Sequence, residues 1–498
     1  MARRVDPSSR PGLADYEAVG HLSGAVRELR THGEWVARRM RGRTVWMVNS
    51  TARGGGVAEM LPSEVALLRE LGIATEWVVL ESDEPDFFVL TKHIHNLIHG
   101  VATAVPGACD RKLYERVNRA NADQLAGQLR PGDILIVHDP QPLPLAGLLR
   151  EAGLDFIALW RCHIGLDREN DATRAVWKFI QPYTTAYDRT IFSAPEYVPD
   201  WLRSRALVIH PAIDPLSPKN RGLSLHTIIQ ILVNAGLAAA PGPVLTRPFE
   251  HRATRLRADG SFVLANGDGD IGLLTRPIVT QVSRWDRLKG WAPLVTAFAE
   301  LKEGHAESHG EEPLDPRRID LARLVLAGPA PSAVDDDPEG KEVLAELMEL
   351  YRSLPAAVQE DVVLLSLPME NPEQNASMVN ALQRASSVVV QNSIREGFGL
   401  TVTEAMWKHV PVLTNRQACG PRHQVRDSID GCVIGDPENV EELAAGLDAM
   451  LASPDRREYW GRNAQRHVHE RFLIFTPLRE WLDLLSELSE APREGGAK

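Results

Sequence analysis

Two blocks of short apolar segments, alternating with helical patterns, constrain the fold of this 498-residue chain more than any other feature. Segments that are apolar on both faces are typical of parallel strands covered by helices. We predict strands in a first block at Thr44–Val48, Glu76–Leu80, Asp133–Val137, Phe156–Trp160, Thr190–Ser193 and Leu207–Ile209, and in a second block at Ile278–Val282, Leu324–Ala327, Val362–Leu365, Val388–Gln391 and Val410–Leu413. The alternation predicts an α/β protein with two doubly wound domains.

The domain boundary is expected between the two blocks. Residues 215–275 are rich in proline, glycine and charge, which favours a flexible excursion there. We therefore predict an N-terminal domain over residues 1–270, of which residues 1–42 form an arm and a helix. A second domain is predicted over residues 271–470, and residues 471–498 should form a last helix and a flexible tail.

Composition excludes several classes of protein. Hydrophobic residues make up 44% and charged residues 24% of the chain, which excludes a mainly disordered protein. A net charge of −12 argues against nucleic acid as a partner. The four cysteines are scattered and form no CxxC pair, so neither a disulfide framework nor a zinc motif is indicated. Without a recognisable secretory signal or membrane span, we expect a soluble cytoplasmic protein that binds no membrane.

The first candidate site is the glycine run Gly54, Gly55 and Gly56, which follows the first predicted strand and precedes a helical pattern. Glycines allow close backbone approach to a ligand, and a helix N-terminus offers free amides. The run matches neither GxGxxG nor a P-loop, so a nicotinamide or nucleotide-triphosphate site is not indicated. A bare tight turn explains it equally well.

The second candidate is a pair of cations, Arg284 and Lys289, which follow the strand predicted at Ile278–Val282. Two cations before a helix can hold a diphosphate through charge-assisted hydrogen bonds. The alternative is a basic turn exposed to solvent.

The strongest candidate follows Val388–Gln391, where two glycines open a helix and two glutamates flank them. The first amides of that helix can bind phosphate, and the carboxylates should meet the same ligand at different depths. Its residues are Glu396, Gly397, Phe398, Gly399, Leu400, Thr401 and Glu404. The alternative, in which both glutamates are only capping and surface residues, is weaker because the glycines accompany them.

Glu396 and Glu404 have the E-x7-E spacing of retaining glycosyltransferases, and the chain resembles family 4 of those enzymes. A series of segments in order resembles, more closely, trehalose glycosyltransferring synthases: Asn49–Met60, His138–Gln141, Arg161–Ile164, Pro195–Val198, Ile213–Asn220, Thr280–Gly290, Asp336–Gly340 and Asn380–Ala385. The resemblance covers the chain from about Thr44 to Pro477.

The resemblance implies a GT-B architecture, with two Rossmann-like domains and the active site in the cleft between them. It implies transfer of glucose, with retention, from a nucleoside diphosphate glucose to glucose or a related sugar acceptor. In such an enzyme Arg284 and Lys289 would hold the donor diphosphate, with help from the Leu400 and Thr401 amides. Glu404 would bind the ribose and Glu396 the donor sugar.

The resemblance also implies roles in the N-terminal domain. His163 would lie against the donor sugar, Asp139 would bind an acceptor hydroxyl, and Gly54–Gly56 would line the cleft. The last helix, sought at Phe472–Leu488, would cross back to the N-terminal domain. Two departures stand out: Asn415–Arg422 replaces a usual Gly-Gly turn, and residues 221–276 exceed the usual length.

Two further patterns resemble metal-binding motifs but do not predict a metal site. His95 and His99 have metal-ligand spacing but no accompanying motif, and Asp268 and Asp270 imitate a DxD in what looks like a turn. We predict no metal ligands and no required cofactor, although Mg²⁺ could accompany the diphosphate, and a homodimer stays open. Two other functions also stay open: transfer to a cyclitol or amine acceptor, and sugar-nucleotide binding without catalysis.

Overall fold

The structure is a computed structural model that describes residues 3–7, 10–52, 56–101, 104–239, 246–267, 269–308, 319–330 and 338–490. It divides into two compact units. The first comprises Met1–Asp214 together with Phe472–Lys498, and the second comprises Pro215–Arg471. Among the described residues, no helix combines the length and the apolar character needed to cross a membrane.

The first unit is built on a seven-stranded sheet in the order β1-β3-β2-β4-β5-β6-β7. All neighbours in it are parallel except β1, which pairs antiparallel to β3. Its strands are β1 (Arg3–Val5), β2 (Val45–Asn49), β3 (Thr75–Val79), β4 (Ile134–His138), β5 (Ile157–Cys162), β6 (Arg189–Phe192) and β7 (Ala206–Val208). Its helices up to β7 are α1 (Leu13–Glu17), α2 (Ser23–Arg39), α3 (Gly56–Glu70), α4 (Pro85–Ile98), α5 (Ala108–Ala126), α6 (Leu145–Glu151) and α7 (Asp171–Thr184).

The order of the parallel strands reverses between β2 and β4. Crossovers leave these two strands in opposite directions, which opens a crevice outside their carboxyl ends where doubly wound sheets bind ligands. Every residue of β2 and β4 is buried, and in each strand the polar residue is the last one, Asn49 in β2 and His138 in β4. The fold thus brings Asn49 and the residues that follow His138 to one place.

The second unit is built on an eight-stranded sheet in the order β15-β14-β13-β10-β11-β12-β8-β9. Its strands are β8 (Thr254–Leu256), β9 (Phe262–Leu264), β10 (Ile278–Val282), β11 (Arg323–Pro329), β12 (Val362–Leu367), β13 (Val388–Val390), β14 (Val412–Asn415) and β15 (Gly431–Ile434). Its helices are α8 (Leu225–Asn234), α9 (Trp291–Ser308), α10 (Pro338–Ser353), α11 (Ala356–Asp361), α12 (Pro372–Arg384), α13 (Leu400–Trp407), α14 (Cys419–Gln424), α15 (Val440–Leu451) and α16 (Pro454–Arg471). From β10 to β15 this is the Rossmann order, and its reversal lies between β10 and β13.

Both faces of the second sheet are covered by apolar layers, as the sequence predicts. Leu324 and Leu364 pack into one layer, while Val325 and Val363 of the same strands pack into the other. Successive residues of a strand point to opposite faces, so only strands apolar throughout can build two cores. The predicted two-domain α/β class is confirmed.

The boundary at residue 270 is corrected by the structure, which divides the chain between Asp214 and Pro215. The segment taken for a flexible excursion contains α8 and the hairpin β8–β9, and β8 pairs antiparallel to β12. These elements extend the second sheet, and the proline and glycine content alone does not show that pairing. The last helix, α17 (Phe475–Glu490), belongs to the first unit and packs on α2.

Candidate active site

In the second unit, the loop after β10 contacts the loop after β13 because of one glycine. A short 3-10 helix, Arg287–Lys289, ends at Gly290, whose φ is +61°. A Cβ atom there would lie 2.2 Å from the carbonyl oxygen of Asn392, closer than any side chain tolerates. Glycine is needed at this position both for its left-handed backbone and for the close approach.

A buried amide, Gln281 of β10, links these two loops. Its Nε2 donates to the carbonyl of Lys289 at 2.9 Å, and its Oε1 accepts from the backbone amide of Asn392 at 3.0 Å. The side chain of Asn392 in turn donates to the carbonyl of Gly290 at 3.1 Å. Polar groups buried in an apolar strand are stable when they are hydrogen-bonded in this way. The result is a fixed position for Lys289 beside the second loop.

Lys289 and Glu396, which the sequence predicts for the donor site, are in direct contact. The Nζ of Lys289 lies 2.6 Å from Oε2 of Glu396, and both side chains are largely buried. The same oxygen accepts from Ser393 Oγ at 3.1 Å and from Gln391 Nε2 at 3.4 Å. A charged pair with two further donors is held in one geometry, so the two candidates act as one unit.

The glycine segment is tightly packed where α13 begins. Gly399 precedes Leu400 and Thr401 with a φ of +80°, and as the N-cap it has no side chain to cap their amides. On the other side, a Cβ atom on Gly420 of α14 would lie 2.3 Å from Cα of Phe398. The unusual segment Asn415–Arg422 therefore forms the end of β14 and most of a short helix that packs on the glycines.

Glu404 lies deeper in α13 and is only 4% exposed. Its carboxylate pairs with Lys219 Nζ at 3.6 Å. The buried Nζ of Lys408 donates to the carbonyl of Glu404 at 3.0 Å and to Oδ1 of Asn220 at 3.2 Å. Burial lowers the pKa of Lys408 to about 7, and the charge of Glu404 opposes that shift. The side chain and backbone of Glu404 are thus each held by a lysine, Lys219 at the carboxylate and Lys408 at the carbonyl.

Arg284, the other predicted cation, has a mostly exposed side chain. Its guanidinium lies 4.0 Å from the carboxylate of Asp286, and its carbonyl accepts from the indole of Trp291 at 3.3 Å. The backbone of Arg284 is therefore fixed, while the guanidinium is accessible to a ligand.

In the first unit, the structure brings Asp139 and His163 together. Asp139 has a positive φ of 64°, and its Oδ1 accepts from the backbone amide of His163 at 2.8 Å. The indole of Trp160 donates to the carbonyl of Asp139 at 3.0 Å. Burial raises the pKa of Asp139 to about 6, against the opposing effects of the His163 amide and the charge of Arg161.

The glycine run is only partly described. Gly56 begins α3 and is exposed, whereas Gly54 and Gly55 lie outside the described residues. Asn49, which ends β2, accepts from the indole of Trp77 at 2.8 Å and donates to the carbonyl of Thr51 at 2.6 Å. The entry to the loop is thus fixed by hydrogen bonds.

Sequence reasoning missed the residues that hold the candidates in place. They share one signal, a polar or charged side chain within or directly after an apolar strand, and they are Gln281, Gln391, His138 and Arg161. Lys219 and Lys408 carry no comparable signal, because their contact with Glu404 joins segments far apart in the chain.

Family models of known proteins match part of each of the two units. The family model for the N-terminal domain of trehalose synthase matches residues 47–199, and the model for group 1 glycosyl transferases matches residues 271–467. A trehalose synthase from Pyrococcus horikoshii is 34% identical over 457 residues, which is 91% of this chain and 92% of that protein. The chain belongs to the trehalose synthase family.

A second member of the family, from Rubrobacter xylanophilus, is 33% identical over 98% of this chain and 99% of its own. Among solved structures, an α,α-trehalose-phosphate synthase (UDP-forming) from Burkholderia vietnamiensis superimposes with a TM-score of 0.64 at 16% identity. It covers 90% of this chain and 99% of its own. This likeness confirms the GT-B fold. The chain is a glycosyltransferase of trehalose metabolism.

Proposed function

We propose that the chain transfers glucose from a nucleoside diphosphate glucose to free glucose, with retention, to form trehalose. The observation that supports this most is the contact between Lys289 and Glu396 at the reversal of the second sheet. A cation that can meet the diphosphate and a carboxylate that can meet the sugar stand side by side, as a glucosyl donor requires.

In this proposal the second unit binds the donor. Lys289, Arg284 and the amides at the start of α13 surround the diphosphate, and Glu404 accepts from the ribose hydroxyls. The leaving diphosphate gains negative charge as the glycosidic bond breaks. Cations already held in place stabilise that charge without reorganising, which lowers the barrier.

The first unit supplies Asp139 and His163 for the sugars. A carboxylate with a raised pKa is a good acceptor for a hydroxyl hydrogen bond, and the acceptor proton passes to the leaving phosphate in the front-face reaction that the family resemblance implies. Because protein cations neutralise the diphosphate, we expect no metal to be required. Transfer should persist in EDTA.

A screen of nucleoside diphosphate glucoses against glucose, related sugars, cyclitols and amines tests the proposal. Mass spectrometry should show a disaccharide with glucose, and NMR of the fresh product should show α linkages only. A β linkage would refute retention, and a product formed only with a cyclitol or amine would favour that other acceptor class. Nucleotide-sugar binding without any product would favour a binding protein.

A matched pair of arginine variants tests the donor site. Arg284→Ala should lower kcat by roughly 10²-fold, because its guanidinium stabilises charge that peaks in the transition state. Arg287→Ala should not, because that exposed neighbour pairs with Glu346 at 2.6 Å on α10. Equal activity of the two variants would place the diphosphate elsewhere.

A further inference from the structure

Two histidines of the first unit form a buried, hydrogen-bonded pair that the proposed mechanism does not yet explain. Nδ1 of His138 lies 3.1 Å from Nε2 of His163, and the rings stack 5.4 Å apart at 10°. The outer nitrogens, Nε2 of His138 and Nδ1 of His163, are buried and have no hydrogen-bond partner among the described residues. Such atoms require a ligand or a water in the working protein.

Both histidines are neutral. Burial lowers the pKa of each well below its usual range, and the charge of Arg161 lowers both further. A neutral imidazole carries one N–H and one bare nitrogen. One proton therefore lies between the two rings. The ring that carries it determines which of the two outer nitrogens is protonated and which is bare.

Two arrangements satisfy the 3.1 Å contact. In the first, His138 donates from Nδ1, so that Nε2 of His138 is bare and Nδ1 of His163 carries a proton. In the second, His163 donates from Nε2, so that its Nδ1 is bare and Nε2 of His138 carries a proton. The pair offers its outer N–H at opposite ends in the two cases.

Arg161 is the neighbour of His138 in the register of the sheet. Its Cα is the register partner of the Cα of His138 in the parallel strands β4 and β5, so both side chains are on one face of the sheet. His163 follows Arg161 by two residues, directly after the end of β5. The Arg161 side chain is 1% exposed, and none of its guanidinium nitrogens has a hydrogen-bond partner in the described part of the chain.

Arg161 is a cation, because a guanidinium does not lose its proton in proteins. Burial lowers the pKa of Arg161, and three carboxylates oppose that shift: Glu64 of α3, which approaches its Nη1 at 3.8 Å, Glu480 of α17 and Asp139. A buried cation with free N–H groups favours a lone pair nearby and repels a proton. Because Arg161 neighbours His138 in the register of the sheet, the bare nitrogen is assigned to Nε2 of His138, which selects the first arrangement.

We infer that His138 is a positioning residue, whose Nδ1–H donates to Nε2 of His163 and so keeps a proton on Nδ1 of His163, ready to donate to an oxygen of the bound sugar. The nature of that ligand rests on the proposed function, whereas the tautomer does not. In such a site His163 acts as a neutral hydrogen-bond donor and takes no proton from the substrate.

The tautomer is measured directly on the free protein. In ¹⁵N-histidine-labelled protein, coupling across the hydrogen bond links Nδ1 of one ring to Nε2 of another, and so identifies this pair without any variant. We expect protonated Nδ1 on both rings. Protonated Nε2 on both rings would overturn the inference, whatever the enzyme's substrates are.

Kinetics then test the positioning role with three variants. His138→Asn places an amide N–H near the position of Nδ1, so it should keep kcat/KM within about threefold of the wild type. His138→Phe removes the donor and should lower kcat/KM about tenfold, the effect of losing one oriented hydrogen bond. His226→Phe, on the exposed side of α8, should have no effect.

His138→Phe should also change the tautomer. Without a donor opposite, Nε2 of His163 should gain the proton in the ¹⁵N spectrum. If His138→Asn loses as much activity as His138→Phe while both remain folded, or if His163 keeps its Nδ1 proton in His138→Phe, the positioning role is refuted. If only the screened nucleotide sugars fail to react, the proposed function fails and the tautomer assignment stands.

Discussion

Replacing Gly290 with alanine should disrupt the donor half of the site. The new Cβ would lie 2.2 Å from the carbonyl oxygen and 2.7 Å from Nδ2 of Asn392, both in the loop after β13. Asn392 must move, and it connects three segments through Gln281, Gly290 and Pro437. Since Lys289 precedes Gly290, its Nζ should move away from Glu396.

The cost can be worked from the contacts. A left-handed backbone costs alanine about 1–2 kcal/mol, and losing two of the hydrogen bonds of Asn392 costs about 1 kcal/mol each, so the variant should lose about 3–4 kcal/mol. Urea unfolding should show this loss. Titration calorimetry should show nucleoside diphosphate affinity at least tenfold weaker, because Lys289 no longer has a fixed position.

Gly304 provides the matched control, since it lies on α9, which begins directly after Gly290. A Cβ at Gly304 would meet nothing within 4 Å. Alanine at an exposed helix position should raise stability by about 0.5–1 kcal/mol and leave nucleotide affinity unchanged. If Gly290→Ala unfolds at the wild-type urea concentration and binds nucleotide normally, the loop contact does not position Lys289 and our reasoning is wrong.

Further outcomes are expected for the donor-site residues, the histidine pair and Asp139. Lys289→Ala should lower kcat roughly 10²-fold in steady-state assays, whereas Lys289→Arg should restore part of that loss. In calorimetry with the nucleoside diphosphate alone, Glu396→Gln should bind several-fold more tightly because Lys289 loses its competing partner, and Glu404→Gln should bind more weakly. In unfolding measured against pH, the protein should lose stability as the pH falls below about 6.5. In that range the histidines of the unfolded chain bind protons, whereas the buried native pair stays neutral. Asp139 acts in the opposite sense between its ordinary pKa and about 6, so Asp139→Asn should steepen that acid loss.

Much of the fold follows from the sequence because a strand that is buried on both faces leaves a simple signal, a short run of consecutive apolar residues. Every strand predicted in the two blocks exists, with ends shifted by at most a few residues. The strands that were not predicted lack the signal: β9 exposes Phe262 and Leu264, and β15 begins with a glycine. The misplaced boundary has the same cause, since β8 and β9 are identified only by their pairing with each other and with β12.

The site is predicted less completely. Spacing along the chain identifies Glu396 and Glu404, but it cannot show that Lys289 reaches the first carboxylate, because that contact depends on how Gln281 and Gly290 fit the facing loop. Contacts of this kind depend on how distant segments pack together, and such packing leaves no repeating pattern in the sequence. The same holds for Lys219, which meets Glu404 from a segment 185 positions earlier in the numbering (404 − 219).

One sequence signal does mark both site regions, and it is the buried polar residue near the end of an apolar strand. Burying an amide or an imidazole without a partner costs free energy, so such residues persist where the fold supplies partners. The carboxyl ends beside a reversal of strand order supply them, because two loops diverge there and leave backbone groups to be satisfied. Gln281 is the penultimate residue of β10 and His138 is the last residue of β4. Both strands lie beside such a reversal, and each of these residues holds a candidate ligand-binding residue, Lys289 or His163. Polar residues at these strand ends therefore indicate where a doubly wound sheet binds its ligand before any motif is recognised.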